Sequence, residues 1–167
     1  MRNLPTLLIA VAALGCIEED PTTGPPLESA PLYRTTPALC EDCRVLTLYR
    51  NQSAVELRAH QPDGSFDGRA TATLSDPTND EVTERISALT SGAQGLGELP
   101  SGVPTDLPVI ELWLPGLSIS YSTGYPPTGV VELDETLAAI LDDLSHCRSS
   151  ERMTVDADCE QLAYVPD

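Results

Sequence analysis

Lysine is absent from this chain, so its nine basic residues are all arginine. The absence excludes Schiff-base catalysis through lysine, a phosphate-loop lysine and a serine/lysine dyad. Aromatic residues are scarce, with one Trp, one Phe and five Tyr, so any core is largely aliphatic. Only His60 and His146 offer imidazole for proton transfer or metal ligation. No G-x-S-x-G elbow, H-E-x-x-H helix or glycine-rich phosphate loop occurs. No apolar run approaches the ~20 residues that a membrane-spanning helix requires.

What the chain has in excess is acid. Twenty-six Asp and Glu give a formal net charge of −17, which repels phosphate backbones and makes nucleic acid a poor candidate partner. Such acidity can mark disorder, but an apolar fraction of 41% and clear periodic segments predict a folded domain.

The start of the chain reads as an export signal. Met1, Arg2 and Asn3 form a short positive segment, and Leu7 to Leu14 is apolar and uncharged before Gly15 and Cys16. Ala13-Leu14-Gly15-Cys16 resembles the lipobox of bacterial lipoprotein signals. The resemblance covers residues 1–16 and implies cleavage before Cys16, two or three acyl chains on that cysteine, and a partner that is the membrane itself. At ~0.8 kcal/mol per buried methylene, two or more chains anchor stably. Loss of residues 1–15 removes Arg2 and no acid, taking the formal charge from −17 to −18. Ile17, where some inner-membrane lipoproteins carry aspartate, favours the outer membrane.

Residues 16–39 read as an acidic, proline-rich tether, with Pro21, Pro25, Pro26, Pro31 and Pro37 and no regular periodicity. The expected organisation is therefore a signal peptide over 1–15, a lipidated cysteine and disordered linker over 16–39, and one domain over 40–167. Four cysteines fall in that domain: Cys40, Cys43, Cys147 and Cys159. An even count in an exported chain predicts two disulfides. Pairing across the domain is favoured over local pairing because loops of about a hundred residues gain up to ~4.7 kcal/mol in the chain-entropy model. Two sharper readings stand beside this one. Cys40-Glu41-Asp42-Cys43 has thiol-redox spacing, but its acids disfavour a thiolate; Cys40, Cys43, His146 and Cys147 could ligate zinc, though adjacent His146 and Cys147 suit a tetrahedron poorly.

Periodicity places strands at Val45–Tyr49, Ala54–His60 and Ala70–Leu74, an antiparallel meander. Ser75-Asp76-Pro77 opens a helix with Val82, Ile86 and Leu89 inward and Gly92 as its stop. Val109–Leu114 and Leu117–Tyr121 form a hairpin around Pro115-Gly116. A second helix follows, with Leu133, Leu137, Ile140, Leu141 and Leu144 on one face. Thr90–Pro108, rich in glycine and proline, is expected to be mobile. The fold class expected is α+β: an antiparallel sheet of about five strands with two helices packed on one face, after a disordered tether.

Candidate chemistry is sparse. Asp63-Gly64-Ser65-Phe66-Asp67-Gly68 resembles the first half of an EF-hand-type calcium loop, with Asp63, Ser65 and Asp67 as candidate ligands. A plain turn, which selects the same residue types, is favoured. His60 beside this loop is a candidate hydrolase base, and His146 suits the end of a helix. Trp113 faces away from the Ile110, Leu112 and Leu114 stripe, where packing against a loop is favoured over a binding surface. The expected role is non-catalytic binding of an envelope protein or glycan, with no cofactor; a small secreted hydrolase and a calcium-dependent adhesion module are the alternatives.

Overall fold

The computed structural model describes residues 29–38, 43–98, 100–156 and 159. Its elements run β1 (Pro31–Thr36), β2 (Val45–Asn51), β3 (Ala54–His60), β4 (Phe66–Leu74), α1 (Asp76–Thr90), β5 (Val109–Leu114), β6 (Leu117–Ser122), α2 (Val131–Ser145) and β7 (Met153–Val155). All strands join one antiparallel sheet in the order β6-β5-β1-β2-β3-β4-β7. The architecture is α+β, with seven strands rather than about five.

The two added strands have different reasons for escaping the sequence pattern. β1 lies inside the stretch read as tether, and it is central: β2 pairs on one side and β5 on the other. The prolines around it obscured a run of strand-favouring residues, Tyr33, Thr35 and Thr36. Pro31 occupies the first strand position, where a missing N–H is tolerated. β7 is three residues long, too short to alternate visibly, and is held by pairing with the end of β4.

Cross-strand register sorts the side chains onto two faces. Tyr121, Ile110, Leu112, Tyr33, Leu48, Leu57, Ala59, Ala70 and Met153 share one face and are buried. Both helices cover it. Arg50 on this face donates to Asn79 Oδ1 at 2.7 Å and to Thr83 Oγ1 at 2.6 Å on α1, while Tyr33 and Tyr121 reach Asp134 on α2. The predicted inward helix positions hold: Val82, Leu89, Leu133, Leu137, Ile140, Leu141 and Leu144 are buried, and Ile86 packs against the core.

Local signals explain most element ends. Ser75 is the N-cap of α1 with Pro77 in the first turn, although the Ser75 hydroxyl meets Thr78 Oγ1 at 3.0 Å instead of capping the backbone. Glu132 and Asp134 place negative charge in the first turn of α2, where the helix dipole favours it. The β5–β6 hairpin turns on Pro115 and Gly116, whose φ of +75° is what the third position of a type II turn requires. The connection read as mobile over Thr90–Pro108 is tied down in its first half. Gly129 N–H donates to Leu96 O at 2.9 Å, and Gln94 Nε2 donates to Gly129 O at 2.9 Å. Gly129 allows this approach because a Cβ there would collide with the Gly95 carbonyl.

Candidate functional site

Alternation places on the other sheet face everything the helices do not cover. Ser120, Glu111, Arg34, Thr47, Arg58 and Arg69 lie opposite one another in turn, one straight row across six strands. Three of the nine arginines of this acidic chain therefore share one line. A second row carries Ser118 opposite Trp113 and, across β2, β3 and β4, Tyr49, Glu56 and Thr71.

Two of these arginines, Arg34 and Arg58, lie over aromatic rings and are held by polar partners. Arg34 Cζ lies 5.0 Å from the Trp113 ring centroid, its Nε donates to Thr47 Oγ1 at 3.2 Å, and its Nη1 donates to Glu111 Oε2 at 3.4 Å. Arg58 Cζ lies 3.9 Å from the Tyr49 ring centroid and its Nε is ion-paired with Glu56. Stacking over a ring leaves the guanidinium edge for hydrogen bonding and restricts its rotamers. Thr47 in the first row and Glu56 in the second are each 1% exposed, so the middle of this face is closed to solvent. Its β1–β5–β6 end is more open: Arg34 and Glu111 side chains are each 36% exposed, and Ser118 and Ser120 are exposed. Trp113 also lines a cleft at the sheet rim with Ala30, Pro31, Leu32 and Pro115.

Beneath the helix-covered face lies a different polar group. Tyr33 Oη and Tyr121 Oη both donate to Asp134 Oδ1, at 2.7 and 2.6 Å. Burial first, and then the charge of Asp134 and the hydrogen bond to it, hold both phenols well above their ordinary pKa. The cluster satisfies two buried hydroxyls and ties α2 to strands β1 and β6. Nothing labile bridges its members, so it reads as a structural clamp.

The residues singled out in the sequence do not converge. Cys16 and Cys40 lie outside the described residues. Cys147 pairs with Cys159, twelve residues on, at a Cα separation of 5.7 Å. That local bridge overturns the favoured cross-domain pairing: β7 runs back along β4 and returns Cys159 to the end of α2, so proximity decides against loop entropy. Cys43 is also disulfide-bonded. With Cys43 and Cys147 oxidised, the zinc set is dismantled, because a disulfide sulfur is not a thiolate ligand.

At the candidate calcium loop, Asp63 Oδ1 accepts from Ser65 N–H at 2.8 Å and from Ser65 Oγ at 2.6 Å, while Asp67 is ion-paired with Arg44. The hydrogen bonds from Ser65 lower the Asp63 pKa. Asp63 and Ser65 are thus engaged in a turn and Asp67 in an ion pair with Arg44, and no cluster of three or more metal-ligating side chains occurs among the described residues. His60 packs edge-on against Phe66, with centroids 5.8 Å apart, and among the described residues no hydrogen bond joins it to a serine or carboxylate. His146 caps the end of α2, its Nδ1 2.8 Å from Asp142 O.

The open face went unread as a unit, although its parts were visible. Outward Glu56, Arg58 and Trp113 were each evident from alternation, but β1 supplies Arg34 and joins the two halves of the sheet. Without β1, Trp113 and Arg58 had no reason to share a surface. Comparison with protein-family models, with curated proteins and with solved structures finds no match for this chain.

Proposed function

We propose that the protein is a non-catalytic binding module, carried by lipid on Cys16 at the outer side of a membrane, with the outer membrane favoured. Its ligand, an envelope protein or glycan, docks on the helix-free sheet face at the Arg34–Trp113 end. The supporting observation is the half-buried Arg34–Glu111 pair, with Arg34 over the Trp113 ring, flanked by the exposed Ser118 and Ser120. This combination offers an aromatic surface with donors and acceptors of both charges, fixed before a ligand arrives. It suits a polar ligand with apolar patches. Anchorage rests on the resemblance of residues 13–16 to a lipobox, and the tether expected upstream of the domain gives the module reach.

The test is covalent crosslinking in intact envelopes followed by affinity capture, comparing the native chain with Cys16→Ser, Arg34→Ala and Trp113→Ala. A stoichiometric partner that depends on both the anchor and Trp113 is the expected result. A partner retained undiminished by Arg34→Ala and Trp113→Ala places binding elsewhere; recovery of no partner from native envelopes counts against a binding role.

A further inference from the structure

The two edges of the sheet are unequal, and the difference identifies an interaction surface. β7, at one edge, has three residues and is flanked by Glu151, Arg152 and Asp156. Short length and nearby charge are two of the ways in which proteins keep edge strands from pairing. β6, at the other edge, has neither protection. Its sequence Leu-Ser-Ile-Ser-Tyr-Ser is six residues long, with no charge and no proline.

The hairpin geometry shows which of its backbone groups are free to pair. Leu114 and Leu117 flank the two-residue turn and face each other across the hairpin. Strand alternation then directs the N–H and C=O of Ser118, Ser120 and Ser122 away from β5. Among the described residues, the one backbone hydrogen bond to this side is Tyr125 N–H donating to Ser122 O at 2.9 Å, which leaves Ser118 and Ser120 without a backbone partner there.

We infer that β6 is a docking edge for a second copy of this chain, joined by antiparallel β6–β6 pairing about a two-fold axis. The strand is its own complement. With Ile119 opposite Ile119 of the second copy, Ser118 pairs with Ser120, and Leu117 meets Tyr121 on the core side. Apolar residues face apolar residues, hydroxyls face hydroxyls, and no like charges are brought opposite one another. A charged partner strand finds no complementary charge on β6, because none of its residues is ionisable at neutral pH. The nearest acid on β5, Glu111, is already paired with Arg34. Each two-fold pair forms one continuous sheet with both helix layers on the same side.

A single strand pair buries less than the ~1,600 Å² of a standard stable interface, so the dimer is weak and concentration-dependent. The charge of −17 on each copy opposes it, and salt strengthens it by screening that repulsion. Sedimentation velocity of the Cys16→Ser chain, so that lipid does not associate the copies, tests this across two decades of concentration at low and high salt. A dimer that grows with concentration and with salt is expected. Ser120→Pro, which removes an outward N–H and leaves the β5 ladder intact, is expected to abolish it, while Ser120→Thr retains it. Ser120→Lys, which places like charges near the two-fold axis, gives an independent disruption should the proline variant fail to fold. A native chain that stays monomeric throughout, or a dimer undiminished in folded Ser120→Pro or Ser120→Lys, overturns the inference.

Discussion

The two faces of the sheet meet the same problem of arginine and tyrosine in opposite ways. On the helix-covered face, polar atoms are consumed internally: Arg50 is spent on α1, and the hydroxyls of Tyr33 and Tyr121 on Asp134. On the open face, Arg34 and Arg58 lie across aromatic rings, and Arg34 keeps its Glu111 partner at the solvent boundary. The first arrangement fixes where the helices pack; the second leaves ordered polar groups at a surface. One alternating pattern thus separates what specifies the fold from what is available to a ligand.

Substitutions can break this contrast, beginning where burial is complete. Leu57→Ala, at a fully buried position facing the helices, is expected to cost about 3 kcal/mol in denaturant unfolding. Replacing Cys147 and Cys159 by serine releases a bridge spanning twelve residues, and is expected to cost slightly less, about 2.5 kcal/mol, with β7 losing hydrogen-exchange protection before the meander does. Asp134→Ala strands two buried phenols and is expected to lower stability by about 2 kcal/mol; Asp134→Asn, which keeps an acceptor, should recover part of it.

The same cluster makes a pH prediction whose sign follows from the raised phenol pKa values. In the folded state both tyrosines hold their protons above the ordinary value of about 10, so their contribution is complete below that pH and is lost as pH rises beyond it. Absence of lysine leaves this alkaline window largely to tyrosine. The melting temperature is expected to fall more steeply above about pH 10 in the native chain than in Tyr33→Phe/Tyr121→Phe. The smallest stability change belongs to the open face: Trp113→Ala is expected to shift unfolding by about 1 kcal/mol while removing ligand capture. A loss of several kcal/mol there would make Trp113 part of the fold rather than of the surface.

Much of this architecture is legible in the sequence wherever one face of an element is buried. β3 and β5 match their expected limits, β2 and β6 extend slightly beyond theirs, β4 begins at Phe66 inside the stretch read as a turn rather than at Ala70, and the apolar stripe of α2 is buried residue for residue. Two things were hidden. β1 carries buried Leu32 and Tyr33 on consecutive positions across a register shift, which erases the period-two signal. The disulfide partner of Cys147 depends on where β7 returns, and three residues beside β4 hold no sequence pattern that announces it. The open face was lost with β1, since a surface assembled from six strands cannot be read until the one that joins β5 to β2 is in place.

The position of β1 also has a mechanical meaning. The chain enters the domain at Pro31, directly into a strand bonded on both sides. A pull from upstream along that strand loads both ladders in shear, with their hydrogen bonds sharing the force, instead of unzipping an edge one bond at a time. An edge strand at this point would peel. Whatever tension the preceding segment transmits is therefore received at the part of the sheet best arranged to resist it.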